Sequence, residues 1–497
     1  VPDIEFVGPS AQNADHIQAN TSKLVNLYRE PVGPGGRTSY ILRPVPATET
    51  YKTLDDLFIR DMRNVGGTLY VLNGSKLRSI APSGVVADLG DITGAPLGHL
   101  FGETGGVGLV SGGRYQVWDG TTLSEPDVTP FIPATGNVGS GAYLNGYTIL
   151  TEKNARTFAW SGILDPKTFP GTNIATIEAT EDKILRVIAF NGQLWFFKEN
   201  SSEIWYLTGQ AGANAFARVP GGVVNTGLKS EDLVTVLRDV LMWVGSDGIV
   251  YLSDGQGSRP ISTPAVNRNI ANEQVDRCFA YEQEGHKFLA IRYRGRPADV
   301  FDIASAEWHE RASGPLQNAW TPRASANFGG DWYVGADTGD IYKLGSGSVD
   351  ADGPLICEAT SATLKIENRL TRLAEAEIYA DMAPLDQSNI PGDDTVLLLF
   401  VDGAPDGMIE GTEIIDGDDY FDFLINEERS PKIEMSLSGD YGRTWGPYRT
   451  ASLGRVGQYD NRVIFRALGQ YRQITVRIRV SDNVKRAINS RMTVRTA

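Results

Sequence analysis

Fourteen carboxylates and not one lysine or arginine lie between Asp381 and Glu428. Between Arg443 and Arg495 the balance reverses, with twelve basic residues against two acidic ones. Within the first block Asp416, Asp418, Asp419 and Asp422 crowd together, and Asp416-x-Asp418 with Glu427 in twelfth place imitates a calcium loop. Such a loop needs glycine in sixth place for its sharp turn, and Phe421 stands there. The expectation is therefore a solvated acidic face with no metal.

In the second block Arg477 and Arg479 are two residues apart, so on a strand they share one face while Ile474, Val476, Ile478 and Val480 take the other. Arg449, Arg455, Arg462, Arg466 and Arg472 add to the same module. Three readings of these arginines stay open. A nucleic-acid surface would use them, but it usually accompanies a basic chain, and this one carries a net charge of −15. A solvated sheet face is the plainest alternative. The third is contact with the acidic block of a neighbouring copy, where opposite charges set the register of a head-to-tail ring.

Catalytic constellations are missing from the sequence. There is no GxSxG elbow, no phosphate loop, no HExxH and no complete GxGxxG. His16, His99, His286 and His309 are scattered, and Cys278 and Cys357 stand apart from any metal-binding pattern, as buried reduced thiols do. Ser438-x-Asp440-x-Gly442-x-x-Trp445 fits the Asp-box of sialidases, a hairpin-folding device that is not itself catalytic. No enzymatic activity and no cofactor are expected. A sialidase-like propeller that binds or hydrolyses glycans is the alternative, and it would need several such boxes within a repeat series.

The elements that position these residues are strands. Seven times the chain repeats a hydrophobic run, a tight polar turn and a second hydrophobic run, at 67–80, 107–120, 146–160, 192–207, 240–255, 286–303 and 330–345. The spacing of roughly 40 to 48 residues is that of a four-stranded propeller blade. Asn73-Gly74, Gly112-Gly113, Asp247-Gly248 and Thr338-Gly339 supply the left-handed positions that hairpin turns demand. An all-β fold follows, with a β-propeller of six or seven blades over 61–347. Residues 1–60 read as an N-terminal segment able to close the ring, and 346–353 as a linker. Residues 354–497, with an acidic insertion at 381–428, read as a β-sandwich-like platform domain. Strand-like runs there are 363–367, 374–379, 395–401, 432–437, 462–465 and 473–480. One helix is expected over 263–274, capped by Thr263 with Pro264 in its first turn.

A chain of 497 residues should hold two or three domains. Its longest apolar run, 396–401, is far short of the ~20 residues that span a bilayer, so no membrane insertion is expected. No charged and then apolar leader opens the chain, which suits synthesis in the cytoplasm.

Several strings, in order, carry a family resemblance: Asn13-Ala-Asp15, Val25-Asn-Leu-Tyr28, the run 202–209, Ala215 to Val219 and Ile261 to Val266. Others follow near the C-terminal end at 438–445, 453–459, 469–472 and 477–482. Together they resemble the packaged-DNA stabilisation protein, or tail hub and nozzle, of short-tailed, podovirus-type phages. The resemblance implies a virion tail component, assembled in the host cytoplasm as a homo-oligomer, a hexamer in that family, below the portal-adaptor ring. It further implies partners in a tail needle or plug and a tailspike or tail fibre. Packaged double-stranded DNA would pass through the channel without specific binding. The family offers no enzymatic residues to carry over.

Overall fold

The computed structural model describes residues 3–7, 22–33, 39–54, 58–92, 98–102, 106–128, 131–132, 136–255, 257–345, 349–366, 369–382, 431–454, 460–482 and 486–496. Within them the seven sequence repeats become the second and third strands of seven four-stranded antiparallel units. In the first unit, for example, Thr68–Asn73 and Lys76–Ile80 are flanked by Ile59–Val65 on the inside and Val86–Asp91 on the outside. Six of the units stand alone as sheets, and the set from Val275–Gln283 to Glu307–Arg311 runs on into a larger sheet. We number them blades 1 to 7 in chain order, so this fused set is blade 6.

The repeats are hydrophobic on both faces because each blade is packed between two others. Phe158 of blade 3 meets Phe196 of blade 4 with ring centroids 4.5 Å apart, and Phe197 of blade 4 meets Trp243 of blade 5 at 5.4 Å. Turn chemistry is enforced by space as well as by angle. Gly113 has φ +80°, and a Cβ there would lie 1.9 Å from the Gly136 carbonyl oxygen of the next blade. The helix Pro264–Asn272 leads from blade 5 to blade 6, with Thr263 Oγ1 accepting from Val266 N at 3.4 Å. It buries Ala265, Val266 and Ile270.

Blade 7 is completed from the other end of the chain: Ala47–Thr53 pairs antiparallel with Asp340–Gly345. The rest of the N-terminal segment goes elsewhere. Asp3–Glu5, Leu27–Pro31 and Tyr40–Pro44 join Thr371–Met382, Asn461–Tyr471, Arg486–Asn489 and Arg491–Thr496 in one sheet of a C-terminal sandwich. Lys23–Val25 enters the other sheet, parallel to the outer strand of blade 6 through Val25 and Glu310, and antiparallel to Cys357–Thr360. Gln473–Val480, Lys432–Ser438 and Arg449–Ser452 follow in that sheet. Between the two layers lie Leu373, Ile378, Met435, Phe465, Val476 and Ile478, all fully or nearly fully buried. The run 395–401 lies outside the described residues.

The segment 346–353 reads as a linker by composition, yet part of it is anchored. Val349–Asp350 pairs with Gly353–Pro354, and the buried Asp350 carboxylate accepts from Thr48 N at 2.8 Å and Thr48 Oγ1 at 2.9 Å. Composition registers the small and polar residues but not the long-range partner.

Asn26 ties the junction together. It is 1% exposed with φ +55°, a left-handed conformation that asparagine adopts more readily than most residues. Its Nδ2 donates to Ile356 O at 3.0 Å, and its Oδ1 accepts from Ala312 N at 2.9 Å. Its backbone N donates to Glu310 O at 2.8 Å. Asn26→Leu removes both side-chain bonds, strands two backbone groups and strains the leucine. It should lower stability by about 2–4 kcal/mol, read as a shift in the urea midpoint; an unchanged midpoint would show that the junction is held by other contacts.

Candidate functional site

Of the residues expected to matter from charge alone, Asp416, Asp418, Asp419, Asp422 and Arg455 lie outside the described residues. Of the other six arginines, Arg472 lies in the turn between Asn461–Tyr471 and Gln473–Val480, and five are divided between the two sheets of the sandwich. Arg477 and Arg479 stand on one, as their spacing requires, and converge on one carboxylate: Glu358 is 3.3 Å from Arg477 Nε and 3.0 Å from Arg479 Nη2. Glu358 arrives there because Cys357–Thr360 pairs with Gln473–Val480. The guanidinium of Arg477 lies 3.9 Å above the Trp445 ring, and that of Arg479 lies 5.0 Å above Tyr448. The result is a half-exposed ladder of aromatic, guanidinium and carboxylate, the residue types that carry most protein–protein hot spots.

The opposite sheet carries a second set. Arg462 Nη2 is 2.6 Å from Glu377 and Arg495 Nη2 is 3.3 Å from it, and Arg495 Nη1 also reaches Glu375 at 2.8 Å. Arg449 crosses the edge to donate to the carbonyls of Ala467 at 2.7 Å and Arg466 at 3.1 Å. Arg466 and Arg472 are exposed. Most of this positive charge is therefore answered within the chain, and it does not form a single patch.

The Asp-box folds as its residues demand. Ser438 Oγ donates to Asp440 at 2.7 Å and accepts from Gly442 N at 2.8 Å, and Asp440 accepts from Thr444 Oγ1 at 2.6 Å and Thr444 N at 2.9 Å. These bonds, led by the Thr444 hydroxyl, hold the Asp440 carboxyl down at about 2. Its tryptophan is the floor under Arg477, so the box serves to present that ladder.

A third cluster escaped sequence reasoning. The first strands of the blades contact one another around the ring, and near the start of each a polar residue points to the hub: Arg60, His99, Ser140, Arg186, Asp232, Arg277 and Arg323. In blades 1, 3, 4, 6 and 7 the ladder register shifts at this point. Such a bulge re-aims a side chain. The shared signal is phase, since each residue precedes the second strand of its blade by seven to nine positions, as Arg60 precedes Thr68 and Arg186 precedes Gln193. Arg277 reaches Asp61 at 3.2 Å and also donates to the Arg60 carbonyl. His99 Nδ1 lies 3.5 Å from Asp232 Oδ1, which belongs to a blade three places away across the axis. Burial pushes the Arg186 guanidinium down to about 10. Apart from Arg186, which is partly exposed, all of these residues are buried, and the His99–Asp232 contact crosses the axis.

Among the described residues no group of three or more His, Cys, Asp or Glu side chains is placed to hold a metal ion. No described helix is long and apolar enough to cross a membrane. A propeller with a closed axis, fused to a sandwich whose outer faces carry arginines, aromatics and carboxylates, is the build of a structural scaffold. Residues 8–348 match the family described as bacteriophage P22 Gp10, beta-propeller, and residues 417–496 match its beta-sandwich. The chain belongs to that family of phage tail structural proteins, whose place is the virion.

No curated protein matches the chain. Similar solved structures include a streptogramin B lyase, with 12% identity and TM-score 0.43 over 60% of this chain and 95% of that one. The computationally designed Ika8 protein has 8% identity and TM-score 0.38 over 61% and 99%. The Neurospora crassa Pan2 WD40 domain has 8% identity and TM-score 0.38 over 57% and 88%.

Arg462 first, and Arg495 with it, holds Glu377 down to about 2. A carboxylate depressed in this way stabilises the fold above its ordinary range and loses that contribution as pH falls toward the depressed value. Glu377→Gln should therefore unfold more easily than the parent at pH 7. The gap between them should narrow below about pH 4 and close near pH 2 in acid-unfolding curves.

Proposed function

We propose that copies of this chain assemble into a ring-forming hub or nozzle of the phage tail, below the portal-adaptor complex, which closes the channel and retains packaged DNA until ejection. The observation that carries this reading is the match of both family modules, in order, along one chain. The sheet shared by blade 6 and the sandwich supports it, because a single continuous ladder makes the two modules one stiff body able to bear load. Six copies, a needle or plug below and tailspikes or fibres at the side are the partners of this reading.

DNA in this scheme runs through the ring of copies. The axis of an individual propeller is bridged by His99 and Asp232, 3.5 Å apart, a contact that a duplex could not pass. A lumen that holds and then releases a duplex works best when it does not neutralise phosphates, since each neutralised phosphate adds a salt-dependent grip. The acidic block 381–428, either lining that lumen or facing arginines of the next copy, meets this requirement by like-charge repulsion or by setting register. The glycan-hydrolase alternative has less support, because the Asp-box lies in the sandwich, outside the blade repeats, and three of the four arginines at the propeller axis are buried.

Antibody against the chain should label purified virions at the tail tip in negatively stained images; label confined to the capsid, or none, would remove the proposal. Replacing Asp416, Asp418, Asp419 and Asp422 together by Asn should leave the isolated chain folded but reduce assembled tails or DNA retained per particle. Normal particles with normal DNA content would eliminate both roles suggested for the acidic block.

A further inference from the structure

The hub contains polar groups that the described protein leaves unanswered. Neither ring nitrogen of His99, neither carboxylate oxygen of Asp232 and neither Nε nor Nη1 of Arg186 has a hydrogen-bond partner among the described residues. His99 is only 3% exposed and Asp232 only 4%. These three residues come from blades 2, 5 and 4, so the shortfall belongs to the axis and not to one loop. Native structures leave few such groups, and those that persist are usually answered by water or an ion.

Charge selects between the two. Arg60 and Arg186 each lie within electrostatic reach of Arg277, and all three feel the partly exposed Asp61 and the buried Asp232. Asp61 is committed to Arg277 at 3.2 Å and to the backbone N–H of Leu100 at 2.8 Å. Asp232 leans toward His99. Glu231 also acts on Arg186, but from a half-exposed position where water weakens it. Arg186 is partly exposed as a residue, but its Nε and Nη1 groups are shielded from solvent and have no carboxylate in hydrogen-bonding contact among the described residues. Water would satisfy its geometry but not its charge.

We propose that the propeller axis binds a small inorganic anion of halide size, which accepts hydrogen bonds from Arg186. A monatomic anion suits the place on two counts. The axis is narrowed by the 3.5 Å contact of His99 with Asp232, which favours a small ligand, and the unanswered groups of Arg186 are all donors. The ion would lie between Arg186 of blade 4 and the cation of blade 6, Arg277, and so help to hold the ring together. It is a structural ligand and does not depend on the tail-hub reading.

The test compares thermal unfolding of the full chain in sodium chloride or bromide with unfolding in sodium gluconate at equal ionic strength. Halide should raise Tm by about 2 °C, saturating with concentration, as a bound ligand does. Arg186→Gln should melt alike in both salts while its far-ultraviolet circular dichroism stays that of the parent. Crystals of the parent protein soaked in bromide should show an anomalous peak within hydrogen-bonding distance of Arg186. A Tm indifferent to halide, or an axis that holds only water in the bromide map, would overturn the proposal. Should Arg186→Gln fail to fold, the melting curves and bromide map of the parent protein decide it alone.

Discussion

Everything in this architecture depends on a three-residue strand. Lys23–Val25 lies between the outer strand of blade 6 and Cys357–Thr360, parallel to one and antiparallel to the other. It joins the ladders of the two modules, whose shared core runs from Phe288 and Trp320 in the propeller to Ile378 and Val476 in the sandwich. So short a strand holds because its neighbours are anchored independently. Asn26 turns the chain in a left-handed conformation and satisfies backbone groups of two otherwise separate segments. One residue later the chain enters the opposite sheet at Leu27–Pro31. The same segment therefore stitches both layers of the sandwich and the rim of the propeller.

The hub shows the complementary constraint. Blades pack through apolar faces, but at the axis seven strands converge and there is no room for seven large apolar side chains of equal length. The chain fills the space largely with arginines, of which Arg277 reaches Asp61 two blades away, and register shifts in five blades mark the positions from which these polar residues project. Arg311 performs a similar service further out. It is fully buried, stacks 4.3 Å over Trp320 and donates to Tyr281 Oη at 3.1 Å and to the Pro46 carbonyl, just before the strand that closes blade 7.

Much of this is readable in the sequence, and the reasons for success and failure are physical. Hairpins such as Gln193–Lys198 with Ser202–Leu207 announce themselves because both strands are apolar and their turn is local. The helix at Pro264–Asn272 is equally local, set by Thr263 and Pro264. Arg477 and Arg479 share a face because strands have a period of two. Their partner Glu358 lies 121 positions from Arg479, and no pattern in the sequence points to it. The hub residues hide for a related reason, since each looks like an isolated polar residue in a strand, and only their common phase across blades gives them away. The N-terminal segment misleads most. A closing strand is there, but Asp3–Glu5, Lys23–Val25, Leu27–Pro31 and Tyr40–Pro44 belong to the sandwich, through pairings separated by most of the chain.

Asp3 pairs with Thr493 and Glu5 with Arg491. Strand Asp3–Glu5 must therefore wait for residues some 490 positions later before its own sheet exists. Blades 1 to 5 can form as they emerge, because their strands are consecutive. Blade 7 must recruit the much earlier strand Ala47–Thr53, and the platform needs strands from both ends of the described chain. Contacts this distant in sequence make folding slow, and the unpaired edges left exposed meanwhile invite aggregation. Recombinant yield should accordingly depend on keeping translation, temperature and chaperone supply in step, more than on the stability of the finished molecule.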